Sequence, residues 1–144
     1  LLGVHREVIF TDYVPQDEVP QYVAAADIAV ATFVDNEITR CKSPLKIAEY
    51  LAAGKPIVAS RVGEVPRMLG DSGILIRPSS VHDLADALLK YIRQPQLREE
   101  HAISARKRAE KVYNWQTTTA SLLKAYDRAF YKRRKQSATK SLLG

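Results

Sequence analysis

Two lysines, a serine and a glutamate cluster in the stretch Cys41-Lys42-Ser43-Pro44-Leu45-Lys46-Ile47-Ala48-Glu49-Tyr50-Leu51-Ala52-Ala53-Gly54-Lys55-Pro56. Ser43 is a good helix N-cap, and Pro44 fits the first helical position. Gly54 fits the C-terminal end, and Pro56 stops the helix from continuing. The N–H groups of Leu45 and Lys46 would then point out of the first turn without an intrahelical acceptor. Such a terminus attracts anions through its dipole and its free donors. Lys42 and Lys46 flank it, although the dipole disfavours cations there by a few tenths of a kcal/mol. A bound phosphate reverses that penalty. Glu49 lies six residues after Ser43 and three after Lys46, so it shares a helix face with Lys46. A carboxylate can accept two hydroxyl hydrogen bonds from a vicinal diol such as a ribose. The pattern fits a diphosphate at the helix start and a sugar hydroxyl pair one turn deeper. It also fits a capped surface helix with Lys46 and Glu49 as an ordinary exposed pair. Spacing alone leaves both readings open.

Other reactive residues lack partners of recognisable spacing. Cys41 stands beside basic residues, which lowers a thiol pKa, but no histidine or acid accompanies it as in a nucleophilic pair. As the single cysteine it also excludes an internal disulfide and a cysteine-rich metal site. His5, His82 and His101 have no ligand-like spacing and read as surface or helix-end residues. Neither a Walker-type glycine loop nor GxGxxG occurs, which removes the main evidence for an ATPase or a nicotinamide enzyme.

The elements that must position the cluster alternate in type. Residues 8–14 (VIFTDYV) read as a strand ended by Pro15, and 16–26 as a short helix with Val19, Tyr22, Val23 and Ala26 at helical spacing. Residues 27–32 (DIAVAT) read as a parallel strand covered on both faces. A polar loop over 33–42 leads to the helix 43–53, followed by a buried strand 56–60, a short helix 64–69 and a strand 73–76. The clearest helix is 80–93, with Ser80 and Asp83 resembling a capping box and Leu84, Ala87, Leu88, Tyr91 and Ile92 on one face. Helices over 96–113 and 115–131 follow. In the last, Leu122, Leu123, Tyr126 and Phe130 are expected to face inward and Trp115 to pack on the sheet, with Tyr113, Tyr126 and Tyr131 as interfacial packing. This alternation implies an α/β fold: a Rossmann-like parallel sheet with helices on both faces. Ligands of such sheets sit beyond the carboxyl ends of the strands, which is where the cluster at 41–49 falls.

The chain has 144 residues, 46% hydrophobic and 26% charged, so one domain with at most an appendage is expected. The formal charge is +6. Lys132, Arg133, Arg134, Lys135 and Lys140 supply most of it, in a stretch without acids. Residues 1–131 are nearly neutral, which argues against a nucleic-acid-binding fold. The expected division is a folded part, 1–131, and a basic tail, 132–144, read as frayed or disordered. A solvated tail is the simpler reading, and peripheral contact with anionic lipid is the alternative. No apolar run is long enough to span a bilayer.

Several strings resemble a known family: "VIFTDYVPQDEVPQYVAAADIAVAT", "SPLKIAEYLAAGKPIVAS", "VGEVPRML", "GILIRP" and "YNW". In order and spacing they are similar to the C-terminal, nucleotide-binding half of GT-B, family 4-like retaining glycosyltransferases (glycosyl transferases group 1), over roughly residues 4–131. The resemblance implies the donor-binding part of an enzyme that moves a sugar from a nucleotide-sugar to an unidentified acceptor. Retention of anomeric configuration, no required metal or other cofactor, and a cytoplasmic or membrane-associated location are implied with it. The family has two glutamates with seven residues between them. Glu49 matches the second, which binds ribose. The first falls on Cys41 and is absent, and Glu37 is the candidate substitute. The turn resembles a "KSPLK" subgroup in which the lysine helps hold the diphosphate. Lys42, Ser43, Leu45 and Lys46 thereby become donor-binding candidates, with Lys46 the candidate phosphate stabiliser. Pro44 stands near the family's usual glycine, and Tyr13 and Val14 match the region that contacts the base edge. The "Gly-Gly-x-Pro-Glu" loop reads Gly63-Glu64-Val65-Pro66-Arg67, two substitutions away. The family's two earlier strand–helix units and its acceptor domain have no counterpart, so the resemblance implies an N-terminally truncated, inactive piece that exposes apolar surface. A non-catalytic nucleotide-sugar-binding or interaction module and a sugar-nucleotide epimerase of the same fold are the alternatives.

Overall fold

The computed structural model describes residues 3–142, and side chains over residues 3–131. Seven helices and three strands follow one another among these residues: α1 (Val19–Ala25), β1 (Ala29–Ala31), α2 (Glu37–Arg40), α3 (Leu45–Ala52), β2 (Ile57–Ser60), α4 (Val65–Leu69), β3 (Gly73–Ile76), α5 (Val81–Arg93), α6 (Pro95–Val112) and α7 (Trp115–Leu142). The strands form one parallel sheet in the order β1-β2-β3. Ala29 pairs with Ile57 and Ile57 with Gly73. The expected α/β architecture is present, with a core on each face of the sheet. Ile47, Leu51, Ile57, Ala59, Leu69 and Ala105 form one, from α3, α4 and α6. Val58, Ile76, Ala87 and Tyr91 form the other, beneath α5. All four residues of β2, the central strand, are buried.

Several expectations are corrected. Residues 8–14 are irregular backbone, with Asp12 at φ +50° and a bend at Tyr13, and form no strand. Their β propensity needs a ladder partner, and none of the three strands pairs with them. Ile9 and Phe10 stand 86% and 84% exposed. β1 is an edge of the sheet and is covered on one face only: Ala29 and Ala31 are buried, and Val30, on the opposite face, is exposed. The loop 33–42 contains α2, closed by a reciprocal cap between Asn36 and Thr39. On α5, Ser80 Oγ accepts from Asp83 N, but the Ser80 backbone N–H donates to Arg77 O and not to the Asp83 carboxylate, so the reciprocal bond of a capping box is not made. That carboxylate binds the backbone and guanidinium of Arg77 instead. Ile92 faces solvent, because Ala87 and Tyr91 occupy the inward stripe.

The largest departure is α7, a helix through Leu142 rather than to Tyr131. Trp115, Leu122, Leu123, Tyr126, Phe130 and Tyr131 are all exposed, not turned inward. α6 already covers that side of the core through Ala105 and Ala109, and Tyr113 packs against it as expected. The side chains of the basic residues from Lys132 on lie outside the described part. No described helix is long and apolar enough to cross a membrane.

Candidate functional site

The carboxyl ends of β1 and β2 are fastened together. Ser60, fully buried at the end of β2, accepts a hydrogen bond from Phe33 N at 2.9 Å. The loop after β1 folds into α2, and the loop after β2 turns at Gly63 against it. Gly63 has φ +52°, and a Cβ there would stand 2.8 Å from the carbonyl oxygens of Thr39 and Arg40. That approach admits only glycine. The two loops thus form one rim around the start of α3, and Asp35 and Arg40 brace it with an ion pair at 2.6 Å.

The start of α3 differs from the expected cap. Pro44 is the N-cap residue, with extended ψ of 115°, and no side chain caps the first turn. Ser43 lies one residue earlier, and its hydroxyl contacts Met68 Sδ at 3.5 Å. Proline has no side-chain oxygen to offer; its carbonyl accepts from Ile47 N at 3.1 Å, which leaves the amides of Leu45 and Lys46 as the open donors. At the other end Gly54 follows the C-cap residue Ala53 with φ +64°, as its position implied.

Charge around this helix is distributed unevenly. Asp35–Arg40, Glu64–Arg67, Arg77–Asp83 and Arg106–Glu110 are ion pairs. Lys42, Lys46 and Glu49 enter none among the described residues. The exposed Lys46–Glu49 pair that spacing allowed is not formed. Lys46 Nζ instead lies 5.2 Å from the centroid of the Phe33 ring. Glu49 lines a groove of about 740 Å³ between α1 and α3, with Val19, Val23, Ala52 and Ala53 as apolar walls and Gln16 and Lys55 as polar neighbours. Lys55 Nζ ties the two helices by donating to Ala24 O at 2.7 Å. Lys42, Ser43, Leu45, Lys46 and Glu49 therefore gather on the exposed first turns of α3. Tyr13, 88% exposed, and Val14, half-buried, lie on the segment that leads into α1. Cys41 is the exposed C-cap of α2, and Glu37 is exposed in its first turn.

Sequence reasoning did not single out Phe33, Ser60, Gln16 or Lys55. An aromatic residue just past a buried strand was the available signal for Phe33. His101 was misread as a surface or helix-end residue. Its Nδ1 lies 2.6 Å from the hydroxyl of the fully buried Tyr91, which also donates to Ile57 O at 3.3 Å. Burial, foremost, lowers the His101 pKa from its ordinary 6.5, and burial raises that of Tyr91.

A parallel sheet with helices on both faces and a lysine-flanked helix start beyond its strand ends defines a Rossmann-like α/β domain. The sequence profile described as Glycosyl transferases group 1 matches residues 1–94, and the chain belongs to this family. It is 36% identical over 137 residues to D-inositol 3-phosphate glycosyltransferase of Actinosynnema mirum, covering 90% of this chain and 31% of that protein. It is 28% identical over 131 residues to the MMP alpha-(1->4)-mannosyltransferase of Mycolicibacterium hassiacum, covering 89% of this chain and 31% of that one. Among solved structures, sucrose-phosphate synthase of Thermosynechococcus elongatus superposes with a TM-score of 0.78 at 21% identity, over 90% of this chain and 32% of that chain. HepE of Anabaena, in complex with UDP and glucose, gives 0.74 at 24%, over 88% and 33%. The chain spans about a third of the length of these relatives.

Proposed function

We propose that this chain is the donor-binding part of a retaining glycosyltransferase that takes a nucleotide-sugar. The open start of α3 receives the diphosphate through the N–H groups of Leu45 and Lys46, the Ser43 hydroxyl and the Lys42 and Lys46 ammonium groups. Glu49 accepts hydrogen bonds from the ribose hydroxyls, and the apolar groove beside it takes the nucleoside. Tyr13 and Val14 lie toward the base. As the sugar departs, negative charge grows on the diphosphate, and the helix dipole and the lysines stabilise it without a metal ion. Because the family's first glutamate falls on Cys41, the donor sugar needs another carboxylate. Asp35 is engaged by Arg40, which leaves Glu37 on that loop.

The observation that carries the reading is the gathering of Lys42, Lys46 and Glu49, none of them in an ion pair among the described residues, at a helix start that no side chain caps. The bound UDP of the HepE structure, a neighbour in fold, supports a nucleoside diphosphate as the ligand class. The test is calorimetric titration of the chain with UDP, GDP and ADP. We expect saturable binding of one of them, weakened at least tenfold in Glu49→Ala, with the thermal midpoint unchanged. Equal affinity in wild type and variant would remove the ribose assignment.

A further inference from the structure

The geometry points to Phe33 as a positioning residue for Lys46: its ring seats the ammonium at the open start of α3, ready for a diphosphate. This rests on the donor-site reading above and adds a residue to it.

Lys46 is the second residue of α3, where the macrodipole opposes a cation, and no acidic residue stands in that first turn. Among the described residues it has no ion pair. What it has is the Phe33 ring, 5.2 Å from Nζ to centroid, within the range at which the negative face of an aromatic ring attracts an ammonium. The ring is itself held. Phe33 N donates to the buried Ser60 hydroxyl, and the half-buried side chain packs against the core below the sheet ends. A fixed ring therefore meets a flexible four-carbon side chain at the one place where the backbone field would push its charge away. A seated ammonium stays close to the amides of Leu45 and Lys46, so both kinds of donor face one anion together. Because the ring acts only through Lys46, its effect belongs to ligands that carry the phosphates and not to the nucleoside alone.

The experiment titrates wild type, Phe33→Leu, Phe33→Tyr, Lys46→Met and the Phe33→Leu/Lys46→Met double variant with UDP, GDP and ADP, each beside its nucleoside. Phe33→Leu should weaken the diphosphate two- to fivefold, the range of one exposed cation–π contact, and leave the nucleoside unchanged. Phe33→Tyr keeps the ring and should keep the affinity. In the Lys46→Met background, Phe33→Leu should cause no further loss, since the two residues act as one unit. Proton spectra add a readout that needs no ligand: the Lys46 side-chain methylene signals should be ring-shifted in wild type and unshifted in Phe33→Leu. Equal losses for nucleoside and diphosphate, or a loss that persists without Lys46, would make Phe33 a packing residue only. A diphosphate weakened by Lys46→Met but indifferent to Phe33→Leu would overturn this inference and leave the donor site standing. Failure of all three diphosphates to bind wild type at millimolar concentration would overturn both.

Discussion

Gly63 shows how one residue can fix the rim of the site. With φ +52° and two carbonyl oxygens 2.8 Å from where a Cβ would stand, it has neither backbone freedom nor space for a side chain. Alanine there must push back the end of α2 or open the loop after β2. Gly63→Ala should cost about 1–3 kcal/mol by such strain, read as a lowered denaturant midpoint. A variant as stable as wild type would mean that the two loops are not locked together. His101 makes a different point. Burial, its first cause, holds its folded pKa below the ordinary 6.5, with Glu100 and Asp71 acting upward and Lys90 downward. The neutral ring is therefore the form that folding favours. Its contribution is complete above pH 6.5 and is lost as pH falls through the depressed folded value, because the unfolded chain takes up the proton first. The stability difference between wild type and His101→Gln should accordingly shrink between pH 7.5 and 5. A difference constant over that interval would show that His101 does not titrate against folding.

At the scale of elements, α6 braces the site from behind. Arg108 Nε and Nη2 donate to Met68 O and Arg67 O at 2.7 and 2.6 Å, closing the C-terminal turn of α4. Arg106 Nη1 does the same for Ala52 O at the end of α3. Cations at helix C-termini also meet the favourable end of the dipole. Arg108→Met keeps most of the stem and removes these bonds. It should cost about 1–2 kcal/mol, measured by chemical denaturation, and an unchanged midpoint would make the contacts incidental. None of this was legible in the sequence, since the partners of Arg108 lie forty residues away. What was legible is what local chemistry encodes. Gly54 and Pro56 closed α3 as read, and the buried β2 and the partly buried β3 were found from apolar runs bounded by turn residues. Residues 8–14 had the same β-branched signature and formed no strand, because a strand is a property of two segments and none of the described strands pairs with this one. Ser43 and Pro44 were displaced by one position for a related reason: which of two adjacent residues becomes the N-cap depends on how the preceding turn meets α4, through Met68.

For the whole molecule, the distribution of apolar surface separates a core from what is attached to it. Among the described residues, every buried side chain lies between Ala29 and Ala109. The two flanks are different. Ile9, Phe10 and Tyr13 on one side, and Trp115, Leu122, Leu123, Tyr126 and Phe130 on the other, stand exposed. On α7 the latter follow at spacings of seven, one, three and four residues, which puts them along one side of the helix with no core beneath it among the described residues. Sequence periodicity identified that side correctly and could not say what it faces, because periodicity reports a helix face and not its partner. The core should then be indifferent to α7. Removing residues 115–144 should leave the unfolding free energy within about 1 kcal/mol of wild type, the scale of changes away from packed contacts. It should also reduce self-association at high concentration, because it removes much of the exposed apolar area. Thermal melts paired with light scattering would read both effects. A large loss of stability on truncation would place α7 within the cooperative unit, and the inward packing first expected for Leu122 and Phe130 would then describe the chain in solution.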